Sequence, residues 1–269
     1  MRLLPITRIT WASISFALSD PFSTSRLSGN GRHLLVFPLG SPVPDSSNRP
    51  RPTPKLVIFD CDGVLVDSEP IANEVSAAWI TRLGWSMDAV EARARFLGLS
   101  DAAMFALIEK QIGRAITADE IAQNHMQLTA RFETELQAVP GVAAVVADLA
   151  ARAIPMAVAS SGERAKIFAN LAKVGLLSYF GDHISSATEV AEAKSAPDVY
   201  LLAARKAGFA PSACLAIEDS PNGVLAAVRA GMKVIGFASE TPSSALRAAG
   251  AHQVFATMAE VFEHLELIL

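Results

Sequence analysis

Two aspartates separated by one residue follow a short apolar run in the segment KLVIFDCDGVLVDSEP. Asp60 and Asp62 stand where the run ends, and Gly63 permits a sharp turn directly afterwards. In open α/β sheets ligands gather at the carboxyl ends of strands, so this pair is placed for chemistry. A solvated acidic turn is the alternative. An EF-hand calcium loop is excluded, because Leu65 and Ile71 occupy the places of its glycine and its last glutamate.

A second pair of carboxylates occurs in IEDSPNGVLAAVRAG. Glu218 and Asp219 lie where another apolar run gives way to a helical pattern. A carboxylate pair at a second strand end can complete a magnesium site with Asp60, because Mg²⁺ prefers hard oxygen ligands. The alternative is an acidic helix cap, in which Asp219 or Ser220 caps the following helix.

Two further segments carry groups that suit a phosphate. Ser160 and Ser161 precede Gly162 after an apolar run, and a hydroxyl with free backbone N–H groups before a helix fits a phosphate oxygen. The same tripeptide is also an ordinary turn. Lys194, in AKSAPDVY, can neutralise phosphate or carboxylate charge, although a surface lysine is the simpler interpretation. The glycines of a nucleophile elbow and of a nucleotide-binding loop are absent from these segments.

The charge distribution argues against a nucleic-acid partner. Residues 1–54 contain six Lys and Arg against two Asp and Glu, which leaves 17 basic and 25 acidic residues in the rest of the 269-residue chain. Binding to a phosphate backbone needs clustered Lys and Arg, and no basic patch with interleaved aromatics occurs. The five histidines show no metal-ligand spacing. We therefore expect a small molecule as the partner.

Hydropathy and cysteine content predict a soluble protein. No run approaches the roughly 20 apolar residues that cross a bilayer, so no membrane partner is expected. The two cysteines, Cys61 and Cys214, do not indicate a disulfide framework, and a reducing compartment follows. The length is enough for one substantial core without help from a second subunit. We expect a cytoplasmic monomer.

The elements that must position these residues are short strands alternating with helices. Six apolar or β-branched runs predict buried strands at 55–60, 155–160, 183–188, 214–219, 233–238 and 252–257. Helical patterns of crossover length occur at 141–152, 163–174, 197–207 and 222–230. Such alternation predicts an α/β fold with a parallel sheet covered on both faces.

Residues 71–136 interrupt this alternation between the first and second strands. They contain helical stretches rich in Ala, Leu and Met and no convincing strand, and Gly84 and Gly113 are candidate breaks between helices. We predict an inserted helical domain there, with the α/β core formed by 55–70 and 137–269.

Residues 1–54 have a different composition. They hold eight of the fifteen prolines and many serines, without a sustained period of two or of 3.6 residues. We interpret this segment as a disordered N-terminal extension. A targeting segment, suggested by its Arg- and Ser-rich, acid-poor composition, and an over-extended start of translation are the alternatives.

Taken together and in this order, the motifs resemble those of the haloacid dehalogenase superfamily. The combination is DxDGVLxDSE, a strand ending in serine, KxxPD and EDSxxGxxAAxxAG, and it covers the chain from Lys55 to the C-terminus. The branch with a helical cap after the first motif is the most similar, and within it the β-phosphoglucomutase-like phosphatases. The resemblance implies a Rossmann-like parallel sheet core with an inserted α-helical cap domain.

The resemblance also implies a magnesium-dependent phosphatase. Asp60 would attack phosphorus and form an aspartyl-phosphate, while Asp62 would protonate the leaving alcohol and then deprotonate water. Mg²⁺ would be held by Asp60, the main-chain carbonyl of Asp62 and Asp219, with Glu218 nearby. The dehalogenases that named the superfamily lack an aspartate two residues after the nucleophile, so Asp62 favours phosphate chemistry.

Substrate binding is implied for two further regions. Ser160, Ser161 and Lys194 would bind phosphate oxygens, and the cap at 71–136 would close over the substrate, exclude water and select its organic part. The expected substrate is a small phosphorylated metabolite, a sugar phosphate or a phosphorylated sugar acid.

Two other functions remain as alternatives. The β-phosphoglucomutase type carries a histidine shortly after the first motif and an arginine in the cap loop after its glycine. Here Asn73 and Asp101 stand near those places, while Arg93 and Arg95 lie close enough to keep a phosphosugar mutase as an alternative. A non-catalytic module that binds a phosphorylated metabolite would be expected to lose a motif member, and none is lost.

Deletion of residues 1–53 is expected to leave activity and melting temperature nearly unchanged, because the segment has no pattern capable of joining a core. Thermal unfolding and a phosphate-release assay on the truncated and full-length proteins check this. A large loss in either measurement would mean that the segment packs against the rest of the chain.

Overall fold

The computed structural model describes residues 53–96, 99 and 101–269, so the prediction for the N-terminal extension lies almost wholly outside the described residues. Six strands form one sheet: β1 (Leu56–Phe59), β2 (Met156–Ser160), β3 (Ile184–Ser186), β4 (Cys214–Glu218), β5 (Lys233–Phe237) and β6 (Gln253–Phe255). Every neighbouring pair is parallel, and the order is β3-β2-β1-β4-β5-β6. The predicted α/β class and all six predicted strands are confirmed.

The strand order places a crevice beside β1. From β1 the chain builds outwards through β2 to β3, and it then crosses back to add β4, β5 and β6 on the other side. The loops that leave β1 and β4 therefore diverge at the carboxyl edge of the sheet. Such a switch point is where open α/β sheets bind their ligands.

Helices cover both faces of the sheet because its strands are apolar on both faces. Along β1, Val57 and Phe59 belong to one buried cluster, and Leu56 and Ile58 belong to another. The first cluster includes residues of α5 (Val142–Ala151), α6 (Arg164–Lys173), α7 (Leu177–Phe180) and α11 (Met258–Ile268). The second includes residues of α8 (Asp198–Ala207), α9 (Pro221–Arg229) and α10 (Ser243–Ala248). The four predicted crossover helices are α5, α6, α8 and α9.

Four helices follow β1 and form the insertion: α1 (Glu69–Arg82), α2 (Ala89–Phe96), α3 (Asp101–Ile112) and α4 (Ala118–Glu135); α5 then leads into β2. Gly84 follows α1 and Gly113 follows α3, so both predicted breaks fall at turns. A capping box, in which Thr117 and Glu120 each bond the backbone of the other, begins α4. In the described part of the chain, no helix combines the length and apolar character needed to cross a bilayer.

The helical insertion packs through two separate clusters. Near its ends, Val75 of α1 and Phe132 of α4 belong to the cluster on one face of the sheet. Farther along, α1 and α3 contribute Ile80 and Ile108 to a cluster of their own. The base of the insertion is therefore continuous with the core, whereas its remaining part has a distinct apolar centre.

Ile80→Ala is expected to loosen the insertion more than the sheet. Ile80 and Ile58 are both fully buried, so removing either side chain should lower the free energy of unfolding by about 2–5 kcal/mol. Hydrogen exchange separates the two variants, because Ile80→Ala should raise exchange mainly in α1–α3, while Ile58→Ala should raise it throughout the core. Equal patterns of exchange would mean that the insertion and the sheet unfold as one unit.

Candidate active site

Three buried carboxylates converge at the carboxyl edge of the sheet. Asp60 directly follows β1, Glu218 ends β4, and Asp219 comes next. The register pairs Phe59 with Ile217, so the residues that follow them arrive side by side. Ligand oxygens of the three carboxylates lie within 4.8 Å of one another.

Lys194 bridges two of these carboxylates. Its Nζ donates to Asp60 Oδ1 and to Glu218 Oε1, both at 2.6 Å. The Lys194 side chain is only 5% exposed, so water screens these ion pairs little. Its Nζ also lies 5.0 Å from the centre of the Tyr200 ring, which belongs to α8. In the structure Lys194 is thus a buried residue of the site and not a surface lysine.

Glu218 and Asp219 are adjacent but have different surroundings. Glu218 accepts hydrogen bonds from Lys194 and Tyr200 at Oε1, and from the Ser220 N–H and hydroxyl at Oε2. Ser220 also caps α9 by accepting from the Gly223 N–H at 3.0 Å. Asp219 is therefore not the helix cap, and among the described residues nothing donates a hydrogen bond to it. Its oxygens remain available to a ligand, whereas those of Glu218 are occupied.

Two glycines make room for the carboxylates. A Cβ at Gly63 would lie 2.1 Å from Asp219 Oδ2, and the φ of +81° at Gly63 disfavours other residues as well. A Cβ at Gly223 would lie 1.6 Å from Glu218 Oε1. Any larger residue at either position would displace a carboxylate, so both glycines are part of the site.

Burial shapes the ionisation of the cluster. It raises the pKa of Asp60 to about 7, a rise that Lys194 opposes and Glu218 reinforces. Burial, and after it the charges of Glu218 and Asp60, raise the pKa of Asp219 well above its usual range. Burial alone would lower the pKa of Lys194, but Asp60 and Glu218 outweigh it and hold that pKa well above normal. The cluster therefore favours a bound cation.

The two serines at the end of β2 have different positions. Ser160 is 1% exposed, and its Oγ accepts from the Gly162 N–H at 3.0 Å. Ser186 supports this turn from β3, because its hydroxyl donates to the Gly162 carbonyl at 2.6 Å. A Cβ at Gly162 would lie 3.4 Å from Ser160 Oγ and 3.8 Å from Asp62 Oδ2, so Ser160 borders the site. Ser161 is exposed.

Asp62 forms an ion pair with a second lysine, Lys166. Lys166, on α6, places its Nζ 3.5 Å from Asp62 Oδ2. Asp62 Oδ1 is buried and has no hydrogen-bond partner among the described residues. No motif marked Lys166 in the sequence, since it lies on an amphipathic helix where lysines are common.

Further charged side chains extend the network around Asp62. Burial raises the pKa of Glu69, the first residue of α1; Asp62 and Glu240 add to that rise, while Lys166 and Arg93 oppose it. Arg93 of α2 contacts Glu240 twice, through the Glu240 carboxylate at 2.5 Å and its backbone carbonyl at 2.7 Å. This pair links the insertion to the loop after β5.

Comparison with known proteins gives the family. The model of the haloacid dehalogenase-like hydrolases matches residues 54–231. The chain belongs to the haloacid dehalogenase-like hydrolases. It is 33% identical over 182 residues to hexitol phosphatase A of Escherichia coli, covering 66% of this chain and 80% of that protein. It is 29% identical over 185 residues to the 6-phosphogluconate phosphatase of the same bacterium, covering 68% and 82%.

A solved structure agrees with this assignment. A haloacid dehalogenase-like protein of unknown function from Agrobacterium tumefaciens superimposes with a TM-score of 0.72 at 32% identity, covering 79% of this chain and 98% of that chain. The Rossmann-like fold is therefore confirmed. Because the chain belongs to this family and the two E. coli relatives are phosphatases, it is a phosphoric monoester hydrolase.

The donor set of this hydrolase fits a divalent cation. Asp60 and Asp219 offer buried carboxylate oxygens, and hard oxygen ligands of this kind suit Mg²⁺. In the described part of the chain, Lys194 is the only cationic side chain that pairs with any of the three carboxylates, and it pairs with Asp60 and Glu218, so negative charge remains in excess. The residues present therefore fit a magnesium ion.

Lys194→Met is expected to destabilise the hydrolase by about 3–5 kcal/mol at pH 8, because it leaves Asp60 and Glu218 buried without their cation. The deficit should shrink at pH 5, where the carboxyls take up protons and need no counter-charge. Urea unfolding at both pH values measures it. Lys206→Met is the control, since its ion pair with Glu189 is partly exposed and should contribute less than about 1 kcal/mol. Similar losses in the two variants would contradict the expectation.

Proposed function

We propose that this hydrolase is a magnesium-dependent phosphatase of small phosphorylated metabolites, either sugar phosphates or phosphorylated sugar acids. The observation that carries the proposal is the buried group of Asp60, Glu218 and Asp219 bridged by Lys194 at the switch point of the sheet. The names of the two E. coli relatives, a hexitol phosphatase and a 6-phosphogluconate phosphatase, support the substrate class.

In the proposed reaction Asp60 is the nucleophile. A bond forms between its carboxylate oxygen and phosphorus while the bond from phosphorus to the alcohol oxygen breaks, which yields an aspartyl-phosphate. Asp62, two residues away at the same strand end, protonates the leaving oxygen. In the second step Asp62 takes a proton from water, the water oxygen attacks phosphorus, and Asp60 and phosphate are released.

The surrounding groups offset the repulsion between a carboxylate and a phosphate dianion. Lys194, held by Glu218, and the Ser160 hydroxyl would bind phosphate oxygens. Asp60, Asp219 and the main-chain carbonyl of Asp62 would hold Mg²⁺, which when bound supplies positive charge next to the transferring phosphoryl group. Because Glu218 is saturated with hydrogen bonds, we assign it the task of holding Lys194 rather than the metal.

Helices α1–α4 are proposed to act as a cap over the site. They begin at Glu69, shortly after Asp60 and Asp62, and end at Glu135, shortly before α5. The Arg93–Glu240 pair joins them to the core on the side of the β5 loop. Closure would exclude water that competes with the substrate and would select the organic part of the ester.

Phosphatase action is favoured over a phosphosugar mutase. Arg93 and Arg95, the two cap arginines nearest to the mutase pattern, already have partners: Arg93 pairs with Glu240, and Arg95 pairs with Glu91 and covers the Trp85 ring. Neither is therefore an unpaired anchor for a second phosphate. Gly98, which stands in the place of the cap-loop glycine of the mutase type, and the side chain of Asp101 lie outside the described residues. Water is the expected acceptor of the phosphoryl group.

Asp60→Asn is expected to abolish turnover with little loss of stability, because the amide keeps the shape but removes the nucleophile and a metal ligand. Phosphate release from a panel of sugar phosphates and phosphorylated sugar acids, with Mg²⁺ and with a chelator, measures this. Asp148→Asn is the control and should retain full activity, because Asp148 lies on α5 and pairs with Arg152. Turnover of Asp60→Asn within about tenfold of the unmodified hydrolase would contradict the proposal.

The same assay distinguishes the mutase. Stoichiometric phosphate release from a sugar monophosphate, without activation by a sugar bisphosphate, is expected. Interconversion of sugar phosphate isomers faster than phosphate release would identify a mutase instead.

A further inference from the structure

The carboxylate of Asp62 has a single polar partner in the described part of the chain. Its Oδ1 is buried without a hydrogen bond, and its Oδ2 lies 3.5 Å from Lys166 Nζ. Asp60, in contrast, is fixed by a 2.6 Å contact to a lysine that is itself held by Glu218. Among the described residues, Lys166 is therefore the side chain placed to orient the Asp62 carboxylate.

Lys166 is itself held on a second side. Its Nζ lies 5.3 Å from the centre of the Phe132 ring, which belongs to α4 and is 5% exposed. The ammonium group is thus placed between an aromatic face and a carboxylate, an arrangement that favours one side-chain conformation. A lysine held from two sides can hold a neighbouring carboxylate in place.

The two lysines of the site differ in burial. The Lys194 side chain is 5% exposed and contacts two carboxylates, whereas the Lys166 side chain is 40% exposed and contacts Asp62. Removing the ammonium of Lys166 should therefore leave the fold intact. This makes its effect on the reaction measurable.

We propose that Lys166 is a positioning residue that fixes the Asp62 carboxylate in the orientation needed for proton transfer to the leaving oxygen. The inference rests on the proposed function, in which Asp62 is the acid. A general acid must come within hydrogen-bond reach of the atom it protonates, and a small misplacement lowers the rate strongly. Loss of Lys166 should consequently slow the hydrolysis of an ester more strongly the more its leaving group needs protonation.

The test compares phenyl phosphate with p-nitrophenyl phosphate, which have similar shapes but a poor and a good leaving group. In Lys166→Met the aliphatic stem stays against Phe132 while the ammonium is lost. We expect kcat/KM to fall about tenfold or more for phenyl phosphate and less than about threefold for p-nitrophenyl phosphate. Lys166→Arg, which restores a cation, should recover most of the loss.

Lys173→Met provides the matched control. Lys173 is also on α6 and also contacts α4, through the Thr134 carbonyl at 3.3 Å, but it has no contact with Asp62. The Lys173→Met variant should hydrolyse both esters at rates within about twofold of the unmodified hydrolase. Thermal unfolding of all variants establishes that each is folded.

The outcomes separate this inference from the proposed function. Equal losses on both esters in Lys166→Met, or a change confined to KM, would overturn the positioning role, because they indicate a structural or phosphate-binding role. Asp62→Asn should show the same preference for the good leaving group, more strongly. If Asp62→Asn is selective and Lys166→Met behaves like the unmodified protein, only the positioning role fails. If Asp62→Asn shows no preference, the acid role of Asp62 fails together with the positioning role, while the phosphatase proposal stands. If the unmodified hydrolase releases no phosphate from the aryl esters or from the panel of phosphorylated metabolites, both proposals fail.

Discussion

Repulsion between carboxylates buried within 4.8 Å of one another is the constraint on which the rest of this structure depends. Water cannot relieve it, because Asp60, Glu218 and Asp219 are each less than one tenth exposed. The strands β1 and β4 hold the charges together through their register, and Lys194 neutralises part of them. The remaining negative charge suits the site to a bound cation. Gly63 and Gly223 leave the space beside two of the carboxylates free, because a Cβ at either position would overlap a carboxylate oxygen.

Most of the fold could be predicted because its determinants are local. Parallel strands buried on both faces must be short apolar runs, and in this chain each run of that kind is a strand. The sequence did not predict helices α7, α10 and α11. The first two have only four and six residues, too few for a helical period to be recognised, and α11 follows the last strand, so the alternation of strands and crossover helices does not require it. The helical insertion was recognisable because 66 residues without a strand signal do not fit the alternation around them.

The site was predictable only in part. The structure brings Asp60, Lys194, Glu218 and Asp219 together, and each had a motif that marked it. Lys166 lies in no motif, and Tyr200 ends the segment AKSAPDVY without being marked by it, because a lysine and a tyrosine on amphipathic helices are ordinary residues of a solvated face and of a core. Their contacts depend on how α6 and α8 pack against the sheet, which is a property of the tertiary structure and not of any short segment.

The separate apolar centre of the insertion, around Ile80 and Ile108, bears on how a chain of this kind changes over evolutionary time. Substitutions in groups that share no contacts have nearly additive effects on stability. Residues on α2 and α3 can therefore vary without disturbing the packing beneath Asp60, as long as Val75 and Phe132 keep the base of the insertion joined to the sheet. If helices α1–α4 act as the proposed cap, new substrates can be acquired by altering one apolar centre while the other, together with the chemistry it supports, is inherited unchanged.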